Sequence, residues 1–228
     1  MVEKKAGANI RKLAWTRRQT ALMYFTGASL LVILSPFIAG LFGRLGVFAF
    51  VGCLVSAFVA TRRGLSSWQR ANRADQGARG EEQLERSLES LLQQGWCIEY
   101  NLELRWGDAD VFLKSPKGNH YVVDAKAHEN GTIFFDPHTK MLMRRYGRDT
   151  VHDLGRNHQG APKDLLKAVK GQAKEIKEKR QLRWVTAILC FTQAEIDSSI
   201  LPEQPVEGVH ISRLSVLPLL LQWLDNKR

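Results

Sequence analysis

Two charge-free apolar runs near the amino terminus restrict this chain more than any other feature. No charged residue occurs from Gln19 to Gly43, and after Arg44 none occurs from Leu45 to Thr61, which gives runs of 25 and 17 residues. A hydrocarbon core about 30 Å thick takes roughly 20 helical residues rising about 1.5 Å each, with about 17 as the lower limit. Both runs reach that limit. The short turn "GLFGRLG" between them suits a tight helical hairpin, with spans expected at 19–40 and 45–61 and a candidate kink at Pro36.

Basic residues flank the pair on one side only. Lys4, Lys5, Arg11, Lys12, Arg17 and Arg18 precede it and Arg62, Arg63, Arg70 and Arg73 follow, whereas the turn offers Arg44 alone. The positive-inside bias then puts both ends in the cytoplasm. The expected organisation is a basic cytoplasmic segment (1–18), a transmembrane hairpin (19–61), a juxtamembrane linker (62–79) and a domain (80–228), all at an inner membrane. A cleaved signal peptide is the rival reading, but the first run exceeds a typical h-region, no A-x-A-like site follows it, and a second apolar run comes directly after. A buried helical pair in a soluble protein would need neither the flanking basic clusters nor so little polarity within.

This topology also absorbs most of the net charge of +10. Residues 1–63 hold nine Lys/Arg and one acid, leaving 24 basic against 22 acidic residues beyond. The excess therefore does not by itself indicate a polyanionic ligand. Cys53, Cys97 and Cys190 show no C-x-x-C pairing and are expected as small buried hydrophobes in a reducing compartment.

Beyond the linker, "EEQLERSLESLLQQG" places Leu84, Leu88, Leu91 and Leu92 at helical spacing, with acids in the first turn and Gly95 as a stop. Short β-rich runs follow: "WCIEYNLEL", "DADVFLKS", "YVVDAKA", "TIFFD" and "KMLMRRY", separated by turn signals such as "SPKGN" and "DPHT". They predict a meander that is at least locally antiparallel. A helix around 162–180, the strand "WVTAILCF" and a helix from about Leu214 to Leu224 complete an α/β domain of helix, meander, helix, strand and helix.

The chemistry concentrates in one hairpin. Side chains alternate along a strand, so Asp108 and Asp110 share a face with Phe112, and Asp124 and Lys126 share one with Val122. A hairpin centred on Lys117 sets Asp110 opposite Asp124 and Asp108 opposite Lys126. Like charges on cross-strand partners repel, so something positive should sit between the two acids. Lys126 could supply it. A divalent cation is the alternative, since two converging carboxylates suit Mg²⁺, which keeps waters and accepts a phosphate substrate. A solvated hairpin face with an incidental Asp108–Lys126 pair is the bland reading.

The pattern resembles the PD-(Asp/Glu)-x-Lys nuclease superfamily, and within it the NERD (nuclease-related) domain, over about residues 77–180. Gly77, Gly80 and Glu81 in "GARGEE" are similar to the family's G-x-x-G-E before its first helix. "GDADVFL" is similar to its G-(Asp/Glu)-x-Asp strand, and Asp124, Lys126 and Gly131 in "VVDAKAHENG" to its (Asp/Glu)-x-Lys followed by glycine. The order and spacing of these motifs carry the resemblance, because D-x-K alone occurs everywhere by chance.

The resemblance implies a restriction-endonuclease-like core behind two transmembrane helices. It further implies that Asp110, Asp124 and Glu81 ligate Mg²⁺ or Mn²⁺, with the Ala125 carbonyl as a further ligand. Lys126 would orient or deprotonate the attacking water and stabilise phosphorane charge. Asp124 departs from the Glu more usual in this subfamily, which shortens the reach to a metal. Gln172 in "KGQAKE" stands where the family tends to carry a Gln, against the reading of an exposed helical Gln.

Between Pro137 and Arg183 there are thirteen Lys/Arg against five acids. Within that span Lys163, Lys167, Lys170, Lys174 and Lys177 form one stripe at helical spacing, which could follow a nucleic-acid backbone without reading its sequence. The competing readings are an ordinary solvated helix face and attraction to anionic headgroups. The histidines, including His120, His128, His152 and His158, show no zinc spacing, and no P-loop, G-x-S-x-G or cysteine-nucleophile pattern occurs. Two functions remain: a membrane-anchored, metal-dependent phosphodiesterase acting on DNA ahead of RNA, or a non-catalytic nuclease-fold module that binds nucleic acid or a protein at the membrane.

Overall fold

The computed structural model describes residues 8–105, 107–128, 130–147, 150–155 and 160–227. Lys4 and Lys5 of the basic segment and His158 of the polar loop lie outside them. The chain divides into two compact units, residues 7–78 and 79–228.

The first unit is a helical hairpin. Helix α1 (Ala8–Leu41) and helix α2 (Gly46–Gln93) are joined by a 3-10 turn at Gly43–Leu45. Residues 62–79, expected as a linker, are helical throughout and belong to α2. The seam explains this. Ala14, Ala21, Ala28 and Ser35 are buried at seven-residue intervals on α1, and Ala57, Gly64, Ala71 and Ala78 at the same interval on α2. A strict seven-residue repeat keeps the same edge of each helix on its partner, and small side chains let the backbones approach closely. At Gly64 a Cβ would lie 2.8 Å from a ring carbon of Phe25. The polar side chains of 62–78 therefore sit on the outside of a helix whose small residues face the seam.

Large apolar side chains point the other way. Ile33, Phe37, Phe48, Val55 and Phe58 are all exposed, and both helices are long and apolar enough to cross a membrane. Large outside and small inside reverses the order of a water-soluble core and suits a hydrocarbon surround. Pro36 lies inside α1 and removes the amide that would bond the Val32 carbonyl. The hydroxyl of Ser35 donates to that carbonyl instead, at 2.8 Å. At the basic end, Arg18 pairs with Asp75 and lies over the Trp68 ring.

The second unit begins with the last turns of α2 and continues through β1 (Cys97–Leu102), β2 (Ala109–Lys114), β3 (His120–Lys126), β4 (Thr132–Asp136), β5 (Met141–Tyr146), β6 (Thr150–Asp153), α3 (Leu165–Lys179), β7 (Thr186–Phe191), β8 (Glu195–Ile196), β9 (Val209–Arg213) and α4 (Leu217–Lys227). The meander holds for β1, β2 and β3 and then splits. The main sheet runs β1-β2-β3-β7-β9, with β7 and β9 parallel to β3, while β4, β5 and β6 join β8 in a second sheet. β7 takes the place beside β3 because all six of its residues are buried, as a central parallel strand requires.

Two cores cover the main sheet. Leu166, Val169 and Ile176 of α3 pack with Phe112, Val122, Leu189 and Ile211. Leu84, Leu88 and Leu91 of α2 and Leu217, Leu220 and Leu221 of α4 pack with Val111, Leu113, Tyr121 and Val123. Cys190 is buried as expected, whereas Cys97 is exposed at the start of β1, and all three cysteines are free thiols. Lys163 falls outside the expected helical stripe, because α3 starts after an N-cap at Asp164 whose carboxylate accepts the Lys167 amide at 2.9 Å.

Candidate functional site

The turn "SPKGN" sets the geometry. Gly118 adopts φ +84° and donates to the Ser115 carbonyl at 2.9 Å, while the Ser115 amide donates to the Asn119 carbonyl at 2.9 Å. The ladder then pairs Lys114 with His120, Leu113 with Tyr121, Phe112 with Val122 and Val111 with Val123. This is the register of a hairpin centred on Lys117. One step further lie Asp110 and Asp124, and there the ladder ends. The Ala125 amide donates to Asp110 Oδ2 at 2.5 Å instead of to a strand carbonyl. Asp108 lies before β2 and outside the ladder, so it does not oppose Lys126.

Lys126 turns to its own strand. Its Nζ is 2.6 Å from Asp124 Oδ2 and 3.3 Å from the Ala125 carbonyl oxygen. Asp124 is 3% exposed, wedged between β2 and β7. Burial pushes the Asp110 carboxyl up to about 7, the charge of Asp124 adds to this, and Lys126 and the Ala125 amide only partly oppose it. Burial pulls the Lys126 ammonium down, but Asp124 and Asp110, with Glu81, overturn that and leave it above its usual range. The site thus holds a persistent ammonium against Asp124, beside an Asp110 carboxyl that is reluctant to ionise.

Glu81 reaches this centre by its field from the last turns of α2, raising both Asp110 and Lys126. Gly80 sets the approach: a Cβ there would stand 3.1 Å from Ala127 Cβ and 3.4 Å from Thr192 Oγ1, beyond the ends of β3 and β7. Among the described residues no three His, Cys, Asp or Glu side chains form a group that could hold a metal ion. The oxygen donors gathered here are Asp110, Asp124 and the Ala125 carbonyl, and Glu81 acts on Asp110 and Lys126 from α2.

Gln172 is buried rather than an exposed helical residue. Its Nε2 donates to the carbonyls of Gly107 and Asp108 at 3.2 and 3.0 Å. One turn later both oxygens of Glu175 accept the Arg105 amide, at 3.1 and 2.9 Å. These two side chains hold the segment that feeds Asp110 into β2. Glu175 was not singled out from the sequence, although polar residues at 172 and 175 beside Ala173 and Ile176 on one apolar stripe were the available signal. Lys167, Lys170 and Lys174 are exposed on the opposite face of α3, and Lys163 is exposed ahead of it.

Two further groups border the centre. His128 is pushed down to about 4 by burial, then by the charges of Arg144 and Lys126, so it is neutral at physiological pH. Cys190 of β7 pairs with Ala125 of β3, and burial followed by the two aspartates holds its thiol far above the ordinary range. It is no nucleophile.

A model of the nuclease-related domain matches residues 76–192, just over half of the chain. The chain belongs to this family, NERD. No curated protein and no solved structure matches it. The NERD match takes in Glu81, Asp110, Asp124, Lys126 and Gln172, and it ends at Thr192, so β8, β9 and α4 lie beyond it. The α/β core of this NERD domain is accordingly nuclease-like.

Proposed function

We propose that this protein is a metal-dependent nuclease, anchored in a membrane by its helical hairpin and hydrolysing phosphodiester bonds at the cytoplasmic face, in DNA ahead of RNA. The observation that carries the reading is the meeting of Asp110, Asp124 and Lys126 where the β2–β3 ladder ends. The donor set fits Mg²⁺ or Mn²⁺: it is all hard oxygen, and the raised proton affinity of Asp110 marks negative charge that a dication would neutralise. Asp110 and Asp124 would hold the ion, with the Ala125 carbonyl and Glu81 completing its surroundings. When bound, such an ion supplies Lewis acidity at a phosphoryl oxygen and lowers the pKa of a water.

The chain's own groups do the rest. Lys126, kept as an ammonium, acts as a donor to a phosphate oxygen or to the attacking water and not as a base. Gln172 and Glu175 fix the segment that presents Asp110. The basic flanks of both apolar helices support a cytoplasmic position for the domain. The exposed lysines of α3 are one candidate path for the nucleic-acid backbone.

A second reading is favoured by the 2.6 Å contact of Lys126 with Asp124 and by the lack of a three-member ligand group among the described residues. In it the nuclease fold binds without cleaving. The full chain in detergent micelles, incubated with Mg²⁺ or Mn²⁺ and with linear, circular and single-stranded DNA and RNA, separates the two. Cleavage should appear, stop with EDTA, and fall at least about 100-fold in Asp124→Ala and Lys126→Ala. Cleavage that survives both substitutions overturns the mechanism. Absence of cleavage and of Mn²⁺ binding by calorimetry selects the second reading.

A further inference from the structure

The parallel half of the sheet ends in a cleft that neither the hairpin chemistry nor the lysine stripe uses. It has a volume of about 610 Å³ and opens at the carboxyl ends of β7 and β9. Phe191, Ala194 and Leu214 form its apolar floor, Arg86 of α2 and Arg213 of β9 bring two cations, and Glu195 brings one acid. Open parallel sheets offer ligand crevices at the carboxyl ends of their strands.

Register relates the Phe191 and Arg213 wall of it to the candidate centre. Lys126 pairs with Phe191, and Phe191 with Arg213. Paired residues share a face, and neighbouring strands are about 4.8 Å apart, so Arg213 stands two strands from Lys126, about 10 Å away at the backbone. The chain beyond keeps that registration: the Thr192 amide donates to the Lys126 carbonyl and the Leu214 amide to the Phe191 carbonyl, each at 3.1 Å. The cleft floor is thus tied to the residue that would meet the scissile phosphate. The α3 lysines, in contrast, lie on the face turned away from the sheet.

We propose that this cleft holds the nucleic-acid strand beside the scissile phosphodiester, with Arg86 and Arg213 on flanking phosphates and the Phe191, Ala194 and Leu214 floor under a sugar or base. The proposal rests on the nuclease reading and names where its substrate runs. One Arg213 Nη2 hydrogen bond goes to the Ile196 carbonyl at 3.1 Å, which orients the guanidinium and leaves its other N–H donors for a phosphate. A concave track in register with Lys126 favours a phosphodiester chain over a lipid surface, although both carry the same phosphate chemistry.

The test uses the full chain in neutral detergent with EDTA, and reads fluorescence anisotropy of a labelled 20-nucleotide single strand and its duplex against salt. Arg86→Gln with Arg213→Gln should raise Kd about tenfold or more and lower the slope of log K against log salt by about 0.7–0.9 per arginine. Arg86→Gln alone, remote from the Ile196 bond, should show half of that slope change with an unaltered melting temperature. The combined Lys167→Gln, Lys170→Gln and Lys174→Gln variant should change Kd less.

An unchanged Kd in the arginine variants overturns the proposal. So does a loss confined to the lysine variant, or an arginine dependence found for short-chain phosphatidylglycerol as competitor but not for the oligonucleotide. Cleavage by the same variants, with Mg²⁺ or Mn²⁺ in place of EDTA, keeps the two ideas apart. Arginine-dependent binding without cleavage under any metal retires catalysis and leaves the cleft, whereas cleavage with unchanged KM in the double variant retires the cleft and leaves catalysis.

Discussion

At the scale of the residue, Asp110 is the most informative position because its environment works against its charge. In an unfolded chain an aspartate titrates near 3.9, whereas here it is pushed up to about 7. Below pH about 4 both states are protonated and the site costs nothing. As pH rises through about 7 the unfolded state has ionised ahead of the folded one, so stability is lost, and the loss levels off above that. Asp110→Asn should therefore stabilise the metal-free protein by about 1–3 kcal/mol at pH 8, allowing for screening at a half-buried site, and by nothing at pH 4. Melting curves in EDTA at the two pH values check this, and equal shifts at both would contradict it. At neutral pH Lys126→Met should cost more than Lys126→Arg, because only the former leaves Asp124 buried without a cation.

At the scale of the element, legibility follows the range of the interactions involved. The β2–β3 hairpin could be read to the residue, since a five-residue turn and strict alternation fix register locally. The transfer of β4, β5 and β6 into a second sheet could not, because it depends on β7 claiming the edge of β3 more than sixty residues later. β9 escaped notice as well, since His210 and Ser212 interrupt its apolar pattern and bond locally, to the Pro202 and Arg213 carbonyls. The role of α3 as a brace was hidden for the opposite reason, as Gln172 and Glu175 look like solvated positions until their backbone partners are known. Gln172→Ala should cost about 1–3 kcal/mol and speed amide exchange at residues 107–111 ahead of the rest of the sheet. In the hairpin, Gly64→Leu should lower the melting temperature through collision with the Phe25 ring, and Phe25→Ala should recover part of it. Independent effects of the two substitutions would show that the helices do not meet there.

At the scale of the whole molecule, the cysteines provide a built-in topology probe. Cys97 is exposed in the nuclease-like domain, Cys190 is buried and Cys53 lies in the second apolar helix. A membrane-impermeant maleimide should modify Cys97 in inside-out vesicles and leave it unmodified in intact cells, with Cys190 protected in both. The reverse labelling would place the domain on the other side. Apolar length and basic flanks made the hairpin legible from composition, but its continuation to Ala78 was not, because a seam of alanine and glycine carries no hydrophobic signature. That seam limits how such a hairpin can vary. A small residue recurring every seven positions ties growth to steps that restore the seam, of which a whole heptad, about 10.5 Å of height added to both strokes of the hairpin at once, is one. An insertion of one or two residues would turn a bulky side chain onto the seam, so the hairpin lengthens in quantised increments and not by gradual adjustment.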